Sequence, residues 1–370
     1  MSPWNLIKIS CLMWVLGIYG RGTAQTQLEP LKTHQPAYLN TFDFSAGGAV
    51  LTRATQEGVL LANPSLMAFG PGVFRWVFLR QSVHVGSAAV GVIRSQIKNR
   101  GRSMTSEESA ALVNKSFSTP IHLGLDTSLG VILSNLGFMA FQASRADIEG
   151  RKFGSEGVPE LRARASAVGG VVVAAAGQWA DWLAVGANVK GLGNGEFLQS
   201  LGVGDLQAGT VNLQTVIQQG LQKGYGLGVD AGATVQYRTR HLDGRFAIMG
   251  TDLGNTQFKG NVTPWRQSFH LGIGVIVHDS SNALHCSVDY RDFTNVYKEH
   301  WTKKTYTGCK MLFFSRIGLG VGLYQGWPTF GVVLNLVLFR LEFGRYTREF
   351  GKRVGNNPRE VYYVTLATEF

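Results

Sequence analysis

The stretch Gly224–Tyr237 reads GYGLGVDAGATVQY and alternates between two kinds of residue. Glycine and polar residues would share one face of an extended strand: Gly224, Gly226, Gly228, Asp230, Gly232, Thr234 and Gln236. Apolar residues and tyrosine would share the other: Tyr225, Leu227, Val229, Ala231, Ala233, Val235 and Tyr237. This period of two predicts a β-strand with different surroundings on its two faces. The strand belongs either to a transmembrane β-barrel with a polar lumen or to a soluble antiparallel sandwich.

The two ends of the chain favour the barrel. Lys8, the apolar run Ile9–Tyr19 and the small residues up to Ala24 stand in the order of a secretory signal peptide. The run is shorter than the about 20 residues of a membrane-spanning helix. At the other end, Tyr362–Phe370 alternates again and finishes on an aromatic residue. This ending resembles the final-strand signal of the barrel-assembly machinery. We therefore expect an exported outer-membrane protein with that machinery and membrane lipid as partners.

Fourteen strand-like segments follow residue 72. They are Val73–Ser82, His84–Arg94, Ile121–Leu133, Leu136–Arg145, Arg162–Ala175, Gln178–Lys190, Gly224–Tyr237, Arg245–Asp252, Ser268–His278, Ala283–Asp292, Tyr306–Phe314, Ile317–Tyr324, Thr329–Phe339 and Glu360–Phe370. Leu341–Arg348 is a possible further strand. Thr105–Phe117 and Asp205–Lys223 have helical patterns and are expected as insertions between strands.

These segments predict an all-β fold: an antiparallel transmembrane β-barrel of about 14 strands, with an N-terminal hatch or plug and short helical insertions. We expect a signal peptide at 1–24, an N-terminal segment and hatch at 25–72, and the barrel at 73–370. A spanning helix at Ile317–Phe339 is the alternative for the longest uncharged run, but Gln325–Pro328 has the composition of a turn.

Composition excludes several other classes. The 47 glycines lie largely inside apolar segments, where a soluble helix would disfavour them. The formal charge is +11, but the basic residues are scattered singly, so we expect no nucleic-acid partner. No metalloprotease, phosphate-loop or hydrolase-elbow motif occurs. We expect no enzyme activity, metal or cofactor.

One strand face invites a catalytic interpretation. His285, Ser287 and Asp289 alternate along Ala283–Asp292, followed by Arg291. Side chains on one straight strand point in parallel directions and cannot converge as a catalytic triad. We interpret His285, Asp289 and Arg291 as residues that line a polar lumen.

Four short motifs resemble those of the FadL superfamily, the long-chain fatty-acid transporter type of outer-membrane barrel. They are Ser45–Ala49 with Glu57-Gly58 and Asn63–Leu66, then Gly250–Thr256, then Ser287–Asp292, and finally Phe343–Tyr346 with Phe350-Gly351 and the terminal strand. Ser65 stands where the family's Asn-Pro-Ala motif has alanine. The likeness spans roughly residues 40 to 370 and is greatest to uncharacterised branches, including spirochaete families.

The resemblance implies a fourteen-strand barrel filled by an N-terminal hatch, with passive uptake of hydrophobic molecules such as fatty acids, often through a lateral opening in the wall. Related branches serve protein export, so an accessory role in an envelope or secretion assembly, with a protein partner, is the alternative. Gly47, Gly48, Asn63 and Pro64 are the candidate gating residues. Asn63-Pro64 is equally consistent with an ordinary tight turn. A soluble secreted lectin-like sandwich is a third hypothesis.

Two further expectations concern cysteine and tryptophan. If Ala283–Asp292 and Tyr306–Phe314 pair antiparallel with Cys286 opposite Cys309, Asp289 lies opposite Tyr306 and the cysteines face lipid together. They then form either a disulfide or two separate thiols. Five tryptophans near strand ends are expected in membrane-interface girdles: Trp179, Trp182, Trp265, Trp301 and Trp327.

Overall fold

The structure, a computed structural model, describes residues 43–53, 58–70, 74–90, 121–151, 160–202, 220–279, 282–336 and 338–369. The predicted signal peptide at 1–24 lies outside these residues. Within them the strands are β1 (Phe74–Gly86), β2 (Ile121–Leu133), β3 (Leu136–Arg151), β4 (Glu160–Ala180), β5 (Leu183–Gly202), β6 (Leu221–Arg238), β7 (Leu242–Thr251), β8 (Phe258–Gly260), β9 (Ser268–His278), β10 (Asn282–Tyr290), β11 (Thr305–Phe313), β12 (Ile317–Tyr324), β13 (Trp327–Asn335), β14 (Phe339–Glu349) and β15 (Pro358–Glu369). Short helices are α1 (Val59–Ala62) and α2 (Trp301–Lys304), with 3₁₀ turns at Phe44–Ala46 and Pro64–Phe69.

Fourteen of these strands close into an antiparallel barrel. Each pairs with its neighbours along the chain, β7 pairs with β9, and β1 pairs with β15 to complete the ring. The remaining short strand, β8, pairs only with the end of β6. Closure leaves no open sheet edge, because every wall strand has a partner on both sides. The predicted all-β barrel is confirmed.

The two ends of the barrel differ in the length of their connections. At one end the strands are joined by two or three residues, at 134–135, 181–182, 239–241, 279–281, 314–316 and 336–338. Most connections at the other end are longer, which identifies that end as the outer one. β4 and β5, with 21 and 20 residues, are about twice as long as the 9–11 residues that cross a bilayer. The wall therefore rises above the membrane on this side.

The predicted number of wall strands is right although two segments were assigned wrongly, because one error adds a strand and the other omits one. His84–Arg94 was expected as a separate strand, but His84 continues β1 up to Gly86, and residues 87–90 are helical. The possible extra strand at Leu341–Arg348 exists within β14. β1 ends at Gly86, but the prediction divided it at Val83, where no glycine or proline stands. Alternation alone does not separate one long strand from two short ones.

The structure describes only a small part of the two segments that were predicted to be helical. Thr105–Phe117 lies outside the described residues, as does most of Asp205–Lys223. The last three residues of that second segment belong to β6, so the expected helix does not reach Lys223. There the pairing of Leu221 with Phe197 on β5 outweighs the local helical pattern. In the described part of the chain, no helix has both the length and the apolar character to cross a bilayer.

The expected register of β10 and β11 is confirmed. Cys286 lies opposite Cys309, and Asp289 lies opposite Tyr306. The two cysteines form a disulfide, with their Cα atoms 4.0 Å apart. Both lie on the outward face, since the alternate residues Ser287 and Asp289 are buried inside. The bridge therefore links two adjacent wall strands on their lipid side.

We predict that peptides containing Cys286 and Cys309 are joined in protein taken from an oxidising compartment. Mass mapping after alkylation and non-reducing digestion should recover them as one species that separates on reduction. Alkylation of both cysteines without prior reduction would contradict the bridge. A Cys286→Ser/Cys309→Ser variant is the matched control for assigning the linked peptide.

Candidate functional site

Two segments cross the inside of the barrel, residues 43–53 and 58–70, and we call them together the hatch. Their apolar side chains pack with lumen-facing residues of β2 to β5 in one buried cluster. The hatch contributes Val50, Val59, Leu60, Leu61, Ala62, Leu66 and Met67. The wall contributes Ile132, Met139, Phe141, Ala143, Val168, Val172, Ala174 and Leu192. The predicted hatch region thus supplies a hydrophobic core inside a barrel whose outside is also apolar.

Glycines in the wall let the hatch approach the strands closely. A Cβ atom on Gly186 of β5 would lie 2.6 Å from the Ser65 nitrogen, and one on Gly232 of β6 would lie 2.5 Å from Asn63 Oδ1. On β12, a Cβ on Gly320 would lie 2.7 Å from the Ser45 carbonyl oxygen. Contacts this short do not occur, so a side chain at these positions would push the hatch away. We call these three glycines the hatch seats.

The candidate gating residues Gly47 and Gly48 lie in the hatch where it turns at the end of its first 3₁₀ turn. Their φ angles are +71° and +67°, a region that favours glycine. The guanidinium of Arg291 donates to the Gly48 carbonyl at 2.5 Å and lies 4.0 Å from the centre of the Tyr306 ring. The glycine pair therefore exposes a carbonyl to a residue that the sequence placed in the lumen.

Asn63 and Pro64 form a helix start that is also attached to the wall. The Asn63 side chain accepts from the Ser65 nitrogen at 3.2 Å and so caps the 3₁₀ turn, with Pro64 in its first position. The Asn63 amide also donates to the Leu51 carbonyl at 2.8 Å and to Thr234 Oγ1 on β6 at 2.9 Å. The turn interpretation and the hatch interpretation describe the same residues.

Asp289, another of the three lumen candidates, also contacts the hatch directly. Its carboxylate accepts from the backbone nitrogens of Val50 at 2.6 Å and Leu51 at 3.1 Å. His285 is half-buried on the same strand, and its carbonyl accepts from Arg53 of the hatch at 3.4 Å. β10 therefore holds the first hatch segment by polar contacts, whereas β5 and β6 hold the second.

A buried charge cluster fixes the start of the hatch. The Asp43 carboxylate lies 2.9 Å from the Arg53 guanidinium and 3.3 Å from the Lys310 ammonium of β11. Burial alone would raise the pKa of Asp43, but these two cations outweigh it and lower that pKa below its usual range. The aspartate therefore stays ionised and ties the hatch to β11.

Phe44 of the hatch sits among aromatic rings of the wall. Its ring stacks on Tyr346 with centroids 4.4 Å apart and lies 5.4 Å from Tyr363 and 5.6 Å from Tyr324. All four are almost fully buried. Sequence reasoning did not identify this site, although these three tyrosines recur at lumen-facing positions of β12, β14 and β15. Aromatic pairs of this kind add about 0.5–1.5 kcal/mol each to simple burial.

The lumen has two chemically different sides. Above the hatch on β3 to β5, an apolar band faces inward: Phe141, Ala143, Val168, Val172 and Leu192. Next to this band, where β1, β2 and β3 meet, the Asp126 carboxylate accepts hydrogen bonds through both oxygens from the Arg145 guanidinium of β3 and lies 2.9 Å from His84 Nε2. The described residues contain no group of three or more histidine, cysteine or carboxylate side chains placed to hold a metal ion.

A depression of about 660 Å³ lies on the outer wall beside the second hatch segment. Its lining is almost entirely small or apolar and includes Ala187, Ala231 and Ala233. The seats Gly186 and Gly232 form its floor and pair directly across β5 and β6. The strands remain hydrogen-bonded here, so the depression is a thin place in the wall rather than an opening through it.

The tryptophan expectation is only partly met. Trp179 near the end of β4 and Trp182 in the turn at 181–182 are exposed at the inner end of the barrel, and Trp301 is exposed at the outer end. Trp327 is half-buried and donates to Glu349. Trp265 was wrong as a girdle residue: it is 6% exposed and belongs to the cluster that contains the hatch. Its connection folds inward, which strand-end position alone could not indicate.

No profile of a known protein family matches this sequence, and no curated protein matches it in sequence. Solved structures do match it in fold. The Ralstonia pickettii toluene transporter TbuX aligns over 90% of this chain and 98% of its own, with 13% identity and a TM-score of 0.52. A TodX monoaromatic hydrocarbon channel lacking S2 and S3 aligns over 88% of this chain and 96% of its own, with 11% identity and a TM-score of 0.52.

The barrel shares the fold of these channel structures. The barrel architecture that the sequence predicted is therefore confirmed, and it points to the outer membrane. At 11% to 13% identity these comparisons concern fold only.

We predict that Gly186→Ala loosens the hatch without unfolding the barrel. Overpacking of this kind costs about 1–3 kcal/mol, so a thiol reporter at the buried position Ala62→Cys should react with a water-soluble maleimide roughly tenfold faster.

Gly244→Ala is the matched control, because a Cβ there meets no atom within 4 Å. It should leave the labelling rate unchanged. Equal rates in the Gly186→Ala and Gly244→Ala backgrounds would contradict the role of Gly186 as a hatch seat, provided both variants keep the heat-dependent gel shift of a folded barrel.

Proposed function

We propose that this protein is a passive outer-membrane channel for small hydrophobic molecules. The observation that carries the proposal is the apolar band on β3 to β5, which leads directly onto the apolar residues of the hatch. The lumen of a channel for ions or sugars is polar on all sides. Here the band offers a surface on which an apolar molecule leaves water, at roughly 25 cal/mol for each Å² that is buried.

The hatch determines when the channel conducts. Hydrogen bonds at Asn63, Asp289 and Arg291 attach it to the wall, together with the Asp43–Lys310 ion pair, the aromatic contacts of Phe44 and close packing at the glycine seats. It shares no strand pairing with the wall in the described residues. A segment attached in this way separates from a closed barrel without breaking the barrel's own ladders. We infer that movement of the hatch opens the lumen.

Two ligand classes follow from different lines of support. The sequence resemblance implies long-chain fatty acids. The matching structures are named for toluene and monoaromatic hydrocarbons, which are uncharged. A structural or accessory role in an envelope assembly is the alternative function. Helical insertions at Thr105–Phe117 and Asp205–Lys223 that dock a partner would support it, and the first of them and most of the second lie outside the described residues.

Locking the hatch should stop transport. Ser65 Oγ and Thr234 Oγ1 lie 2.7 Å apart, so Ser65→Cys/Thr234→Cys places two thiols within reach of a disulfide between hatch and wall. In liposomes, the oxidised variant should take up toluene at least tenfold more slowly than the wild type, and reduction should restore the rate. Oleate uptake measured in parallel tests the second ligand class.

The single variant Ser65→Cys, treated with the same oxidant and reductant, controls for the lost hydroxyl and for the native disulfide. Wild-type liposomes that accumulate neither toluene nor oleate faster than protein-free liposomes would overturn the channel function. Undiminished uptake through a fully crosslinked variant would overturn the gating role of the hatch.

A further inference from the structure

The connection between β7 and β9 folds into the barrel mouth instead of extending outward. Its central part, Thr256–Trp265, is a hairpin closed by reciprocal backbone hydrogen bonds between Thr256 and Trp265 at 2.9 and 3.0 Å. We call this segment the outer hairpin. One arm contains β8, which pairs with β6 from Gly224 to Gly226.

The outer hairpin has one polar and one apolar side. Gln257, Lys259 and Asn261 are exposed to solvent. Phe258, Val262 and Trp265 are buried, and the rings of Phe258 and Trp265 meet edge to face with centroids 5.0 Å apart. These three side chains belong to the same buried cluster as the hatch and the apolar band. The hairpin therefore covers the band from above while the hatch closes it from below.

Glycines on β6 accommodate the hairpin as the hatch seats accommodate the hatch. A Cβ on Gly228 would lie 2.5 Å from Thr256 Oγ1, and one on Gly224 would lie 3.0 Å from the Phe258 Cβ. This explains the glycine face of Gly224–Tyr237, which the sequence alone predicted only as a polar lumen wall. Alternating glycines on an inward face mark the place where a second chain segment rests against the strand.

A buried ion cluster anchors the base of the hairpin. The Lys190 ammonium of β5 lies 2.6 Å from Asp230 and 3.0 Å from Asp252, which directly follows β7. Asp252 accepts from Thr256 Oγ1 at 2.7 Å, and its own nitrogen donates to Asp230 at 2.8 Å. All three ionic side chains are fully buried. The anchor fixes where the hairpin begins, whereas the rest of the hairpin is held by three paired residues and by apolar contacts.

The charged residues near the apolar band determine whether a charged or an uncharged ligand binds there. Lys190 is bound by two aspartates, and Arg145 is bound by Asp126. Arg164 faces the lumen on β4, but it lies four residues nearer the mouth than Val168, the band residue next to it on that strand, or about 13 Å along the strand. A carboxylate placed beneath the hairpin would lose its water without gaining a counter-ion from these residues. An uncharged apolar molecule meets no such cost.

We propose that the outer hairpin Thr256–Trp265 is a second gate, in series with the hatch, over a lumen site that accepts uncharged apolar molecules. The inference rests on the proposed channel function and adds the gate and the ligand class. Phe258 and Trp265 occupy the top of the site when it is empty of ligand. A molecule that enters from the mouth replaces them against the apolar band, after β8 separates from β6.

A crosslink on the outside of the hairpin tests this directly. Tyr225 of β6 lies opposite Lys259 of β8, and both are exposed, so Tyr225→Cys/Lys259→Cys closes a cross-strand disulfide without touching the apolar side. Met311→Cys/Leu319→Cys, an exposed pair directly opposite on β11 and β12, is the matched control far from the hairpin. Protein-dependent uptake into liposomes, taken as the rate above that of protein-free liposomes, is measured with toluene and with benzoate, which is similar in size but anionic.

We expect oxidation to lower toluene uptake at least tenfold in the hairpin-locked variant and to leave the control pair unchanged. Reduction should restore uptake, and benzoate uptake should stay at least tenfold below toluene uptake throughout. Wild-type toluene uptake through the fully crosslinked hairpin would overturn the gate, and benzoate uptake equal to toluene uptake would overturn the ligand class. If the wild type, the reduced variant and the control all fail to take up either probe, the result overturns the proposed channel function, and this inference with it.

Discussion

The close approach of chain segments to the inside of the barrel wall depends on the absence of side chains at a few wall positions. Gly186, Gly232 and Gly320 lie where the hatch backbone contacts the wall, and Gly224 and Gly228 lie where the outer hairpin does. A barrel interior filled by its own side chains would leave no room for these segments. The glycines therefore determine which strands the hatch and the outer hairpin pack against. The polar contacts at Asp289 and Asn63 determine how firmly the hatch is held.

Closure by two separate segments gives the lumen an uneven chemistry that suits an apolar cargo. The side that carries the apolar band is covered from both directions by apolar hatch and hairpin residues. The rest of the described lumen contains ion pairs such as Asp126–Arg145, between β2 and β3, and the aromatic contacts around Phe44. Those polar groups have partners within the wall, so they hold the barrel interior together and leave the apolar side as the path with the least desolvation of charge.

Period-two alternation was enough to predict most of the wall, because lipid and lumen impose opposite demands on alternate residues. Ile121–Leu133 and Ser268–His278 were predicted with their observed ends. The shared outward face of Cys286 and Cys309 followed from the same alternation, and the structure confirms the hypothesis that places them opposite each other. Alternation contains no information on where a strand continues without a turn, which is why β1 was divided at His84.

Predicting the site from the sequence was harder, since its contacts join residues far apart in the chain. The structure buries Asp289 inside the barrel, but nothing near it in the sequence indicates that Val50 and Leu51 are its partners. Trp265 was misplaced because an inward-folded connection has the same local sequence as an outward one.

The central claim is that the hatch leaves its seats while an apolar molecule passes. Spin labels at Phe69→Cys in the hatch and Ser315→Cys on an exposed turn across the barrel, measured by double electron–electron resonance in liposomes, report that movement. The account predicts a broader and shifted distance distribution when toluene is added, and an unchanged distribution while toluene crosses the membrane would contradict it.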